Sequence, residues 1–166
     1  MGSRLVYDLA VGLAARGFRT YRYNMRGVRG SAGTYDRGRG EVADAVAVYD
    51  ALATGAAPVV FGHSFGAGVA VGLAARRPVR RLVLAGTPLQ VSMSDLVPLD
   101  DAPRVSARTD LIVGDRDEFV SVPDAGRLAG AFPDGHLHVL PGAGHFLVPD
   151  DNPRVVALVA RLLGDA

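Results

Sequence analysis

Three side chains of this sequence are placed for covalent chemistry: a serine hydroxyl, a carboxylate and an imidazole, each just after an apolar run. Ser64 lies in Gly62-His63-Ser64-Phe65-Gly66, a G-x-S-x-G pentapeptide. Pro58-Val59-Val60-Phe61 precedes it and the small-residue run Ala67–Ala75 follows, so the pattern reads strand, sharp turn, helix. A serine at the tip of such a turn holds a strained backbone and an exposed hydroxyl. Gly62 and Gly66 flank it by two residues, where a Cβ is expected to collide as strand and helix converge. A serine hydroxyl needs a base, and the base needs an orienting carboxylate. Asp110-Leu111-Ile112-Val113 reads as a buried strand followed by Gly114-Asp115-Arg116-Asp117, which offers two acids. His138-Val139-Leu140 reads as a strand end and leads to Pro141-Gly142-Ala143-Gly144-His145. In a parallel sheet the carboxyl ends of such strands lie along one edge, where ligands bind.

The chain resembles the alpha/beta hydrolases, in particular small lidless bacterial members. The resemblance rests on the G-x-S-F-G turn, on the order serine, acid, histidine, and on Arg22-Tyr23-Asn24-Met25-Arg26-Gly27-Val28-Arg29-Gly30-Ser31-Ala32-Gly33, similar to the family's "RFNFRG" element. It covers nearly the whole chain. It implies Ser64 as nucleophile, His145 as general base and Asp117 as the acid, since Gly114 fits a G-x-x-D pattern; Asp115 is the alternative. It also implies that the Phe65 backbone N–H points into an oxyanion hole. The expected activity is hydrolysis of small carboxylic esters or thioesters through an acyl-enzyme, with no cofactor and no metal. The rivals are a non-catalytic binding or scaffold protein on the same fold and an acyltransferase or perhydrolase.

In the family, a second oxyanion N–H comes from a loop after an earlier strand, and this sequence begins after that strand. The expectation is therefore an N-terminally truncated sheet with a fault beside Phe18–Tyr23. Residues 18–23 and Val59–Phe61 either pair directly or leave open edges. Activity is then weak or absent.

Composition bounds the rest. The chain has 166 residues, enough for one domain burying roughly 70% of its unfolded surface. Hydrophobic residues make up 49% and the net charge is +1, which gives no basic excess for nucleic acid. All 18 basic residues are arginine, so a Schiff-base lysine is excluded, and the absence of cysteine excludes thiolate nucleophiles and disulfides. The apolar run Leu5–Ala15 carries Asp8 and has helical period, too short for a membrane span. A cytoplasmic protein with a small-molecule acyl substrate is the expectation, with no membrane or nucleic-acid partner.

The positioning elements alternate. Helices are predicted from Ser3 to Arg16, Glu41 to Ala53, after Ser64, after Ser121 and from Asn152-Pro153; strands are predicted at Phe18–Tyr23, Pro58–Phe61, Arg81–Ala85, 110–113 and 138–140. That order gives an α/β fold, a mostly parallel sheet with helices on both faces and no cap domain. Residues 91–107, with Asp95, Asp100 and Asp101, read as a solvated loop. Asn24–Gly33 matches no phosphate-loop pattern and reads as a turn packing against the serine. His136 and His138 share one strand face but lack a nearby acid cluster. His63 reads as a local hydrogen-bonding residue rather than the base.

Overall fold

The computed structural model describes residues 3–147 and 150–164. Four parallel strands form one sheet in the order β1-β2-β3-β4: β1 Val59–His63, β2 Arg81–Ala85, β3 Thr109–Gly114 and β4 Gly135–Leu140. The central strands β2 and β3 are buried along their whole length, which is why they read as continuous apolar runs. The outer strands β1 and β4 are mostly half-buried.

Alternation along β2 and β3 sends side chains into two cores. Val83, Ala85 and Ile112 meet α1 (Arg4–Ala14) and α6 (Asn152–Gly164) through Leu5, Leu9, Leu13, Val155 and Val159. Leu82, Leu84 and Leu111 meet α3 (Phe65–Ala74) and α5 (Val122–Ala131) on the other face. Helix α2 (Arg39–Leu52) packs outside α3 through Val42 and Ala45. Ser3 caps α1 and Ser121 caps α5, each accepting a backbone N–H in the first turn.

Two sequence expectations need correction. Phe18–Tyr23 is not a strand. Phe18 packs on the α1/α6 core beside Val59 and Phe61, but Tyr21 and Tyr23 are exposed and no ladder joins the segment to β1. A strand is defined by a hydrogen-bonded neighbour, and this segment has none among the described residues. Residues 91–107 are not simply a solvated loop. Val91 and Leu96 are buried against α3, and the segment folds into a short helix α4 (Pro98–Asp101) and a 3₁₀ turn (Ala102–Arg104). Its acids remain at the surface: Asp95 pairs with Arg37 and Asp101 with Arg104.

Candidate active site

Ser64 occupies the one-residue turn between β1 and α3, with φ 53° and ψ −121°. A non-glycine residue at positive φ is strained, and the strain is held by the packing of strand on helix. Gly62 makes that packing feasible: a Cβ there would lie 2.5 Å from the Gly66 carbonyl oxygen and 2.6 Å from Ala67 Cα. Gly66 differs from the expectation, since the nearest atom to a Cβ there is Met25 Cε at 3.7 Å, an ordinary contact.

The loop after β4 brings His145 to the serine, with Nε2 2.9 Å from Ser64 Oγ. Its Nδ1 lies 2.9 and 3.0 Å from the two Asp117 carboxylate oxygens. A carboxylate only accepts, so Nδ1 carries the proton and Nε2 is left to accept from the serine hydroxyl. Asp117 is fixed in turn by N–H donors of Phe119 and Val120 at 2.9 and 2.8 Å. The imidazole and the carboxylate are almost fully buried, with side chains 5% and 1% exposed, so water does not compete for their contact. Asp115 lies outside this cluster, where it accepts the Gly142 N–H at 2.6 Å and holds the turn that leads to His145.

Phe65 begins α3, and its N–H meets no acceptor among the described residues, so it lies free at a helix N-terminus one residue from Ser64. The loop containing Met25 packs near this turn: Met25 and Phe65 share a core cluster, and the Tyr35 and Phe65 rings lie 5.8 Å apart. Arg26 is committed to Asp44 through two hydrogen bonds of 2.7 and 2.8 Å, which ties the loop to α2.

His63 Nε2 donates to the His145 carbonyl at 3.0 Å. Burial holds its pKa below the usual histidine value, so the neutral ring is favoured there. His136 pairs with Asp134, and His138 with the buried Asp110. No group of three or more metal-ligating side chains occurs among the described residues. A groove of about 570 Å³ lies between β4 and α6, lined by His138, Leu140, Arg154 and Arg161, and shares no residue with the serine cluster.

Sequence reasoning missed four residues here. Gly86, at φ +53°, directly follows β2 beside His145, where a Cβ would sit 3.1 Å from His145 Nδ1 and 3.4 Å from Asp117 Oδ2. Glu118 accepts the His145 N–H at 3.2 Å. Phe119 and Phe146 stack edge-on against the imidazole. Only Gly86 left a signal, a glycine directly after a buried strand.

The sequence pattern of the alpha/beta hydrolase family matches residues 2–110, well over half of the chain. The chain belongs to the alpha/beta hydrolase family. The match ends ahead of Asp117 and His145, so within this family member those two positions rest on geometry. The chain is 32% identical over 158 aligned residues to an uncharacterised protein of Rickettsia prowazekii (strain Madrid E), covering 88% of this chain and 65% of that protein. Among solved structures it is similar to an alpha-beta serine hydrolase homologue from Coxiella burnetii, with TM-score 0.84, 27% identity and 98% and 77% of the two chains covered. It is also similar to a serine hydrolase without lid from Xanthomonas campestris, with TM-score 0.76, 25% identity and 95% and 71% covered. No helix among the described residues is long and apolar enough to cross a membrane.

Proposed function

We propose that the chain is a serine hydrolase that cleaves small carboxylic esters or thioesters through an acyl-enzyme. The observation that carries this reading is the 2.9 Å approach of His145 Nε2 to Ser64 Oγ, with Asp117 2.9 Å from the other ring nitrogen. In this mechanism His145 Nε2 takes the hydroxyl proton as Ser64 Oγ bonds the acyl carbon. The carbonyl π electrons move to oxygen, and the Phe65 N–H donates to the oxyanion. The carbonyl re-forms as the bond to the leaving atom breaks, and the Nε2 proton passes to that atom. Water, deprotonated by the same nitrogen, then releases the acid and restores the hydroxyl. Asp117 stabilises the imidazolium and fixes its tautomer without accepting the proton. No cofactor enters. Among the described residues the 91–107 segment is docked on α3 rather than raised as a cap, which supports small soluble substrates and no activation at lipid surfaces.

The test is labelling with a fluorophosphonate followed by peptide mapping. Ser64 is expected to carry the label, and Ser64→Ala and His145→Ala each to lose almost all labelling and turnover. Asp117→Asn is expected to lower kcat by about 10⁴, as loss of the orienting acid does in other triads, and Asp115→Asn by far less. Undiminished labelling of Ser64→Ala, or a larger loss at Asp115 than at Asp117, would overturn the assignment.

A further inference from the structure

Two aromatic side chains stand exposed beside the base. Phe119 is 65% and Phe146 64% exposed. Their ring centroids lie 4.8 and 5.3 Å from that of His145 and 6.0 Å from each other, all edge-on. Each is carried by the segment that fixes a site residue: Phe119 follows Asp117 by two positions and bonds its carboxylate through the backbone, and Phe146 follows His145 directly. The rings are thus held in place relative to the imidazole while most of their surface faces water. A large aromatic ring gains most when covered, and two adjacent exposed rings beside reactive groups mark a surface that something apolar covers.

Reaction chemistry states which part of a substrate reaches that surface. The base must return its proton to the departing atom, so that atom sits within hydrogen-bond reach of Nε2. A substituent on that atom is then close to the imidazole that Phe119 and Phe146 flank at 4.8 and 5.3 Å between ring centroids. The acyl oxygen is directed instead to the Phe65 N–H, at the start of α3.

We propose that Phe119 and Phe146 form the leaving-group subsite and that the preferred substrates are esters of aromatic alcohols. This rests on the reading of Ser64 as nucleophile.

The experiment compares kcat/KM for phenyl acetate and hexafluoroisopropyl acetate, whose leaving alcohols have comparable acidity but only one of which is a flat ring. The chain is expected to prefer phenyl acetate. Phe119→Ala and Phe146→Ala are each expected to shrink that preference roughly tenfold, the worth of a good aromatic contact. Phe119→Leu keeps apolar bulk without the ring and should shrink it as well, which separates loss of the ring from loosening of the Asp117 turn. Phenol should slow fluorophosphonate labelling of Ser64 in the native chain and not in the doubly substituted one. An unchanged preference in all variants, with Ser64 still labelled, overturns the subsite alone. Absence of both labelling and turnover in the native chain overturns the hydrolase reading and the subsite with it.

Discussion

Gly62 and Gly66 flank Ser64 evenly in sequence but not in space. A Cβ on Gly62 would meet backbone of Gly66 and Ala67 at 2.5–2.6 Å, and backbone cannot step aside as a flexible side chain can. A Cβ on Gly66 meets only the tip of Met25 at 3.7 Å. Gly62→Ala is therefore expected to cost about 3 kcal/mol, at the upper end for overpacking, and to remove activity by displacing the serine. Gly66→Ala is expected to be neutral or to stabilise by up to about 1 kcal/mol, because it lies in the first turn of α3 and alanine is the better helix former. Urea unfolding of the two variants checks the order, and equal losses would refute the asymmetry. The motif marks both glycines alike, since sequence spacing carries no information on which one faces the crossing backbone. His145 was legible from its place after an apolar strand. The partners that hold it were not. Glu118, Phe119 and Gly86 reach it across loops from other parts of the chain.

At the scale of elements, strands β2, β3 and β4 are joined by a buried polar cluster at the end of β3 opposite Gly114. Asp110 is fully buried and faces Arg81 at 3.0 Å, His138 at 2.8 Å and Arg108 at 3.4 Å. The Arg81 side chain is itself only 6% exposed. Asp110→Ala leaves that guanidinium buried without its carboxylate and is expected to destabilise by about 3–5 kcal/mol. Replacing both partners with apolar residues, Arg81→Met with Asp110→Leu, should recover much of the loss, because the unpaired charge is then gone. Denaturant midpoints read both effects, and a loss below about 1 kcal/mol for the single variant would refute the role. Sequence reading found β2 at Arg81–Ala85 because its apolar run is buried on both faces. It set Asp110 at a strand start without its three partners, which arrive from β2, from β4 and from Arg108. It made a strand of Phe18–Tyr23 because local pattern cannot supply a neighbour. It left 91–107 as loop because the seat of Leu96, beside Gly38 and Gly68, forms only when α2 and α3 pack.

Over the whole molecule charge nearly cancels, at +1, so pH acts on stability through particular groups rather than a general field. One such group is His63, whose pKa is lowered from 6.5 first by burial. The folded state binds its proton less readily than the unfolded chain, so protonation favours unfolding. The stability from this group is fully present above about pH 6.5 and is lost as pH falls through the lower folded value. A second loss follows at more acid pH. Asp8, Asp44 and Asp50 have lowered pKa values, chiefly through hydrogen bonds from Arg4, Arg26 and Arg77, and their contribution fades as pH drops through the carboxylate range. These pairs lie near the surface and are screened, so their share is small. The two windows separate experimentally with His63→Gln, whose amide retains a donor for the His145 carbonyl but does not titrate. The thermal midpoints of the native chain and the variant should differ by a constant amount from pH 8 to about pH 6.5. Below that the native chain should lose ground to the variant, while both share the later carboxylate loss. Parallel curves from pH 8 to pH 5 would show that His63 is not held neutral by the fold.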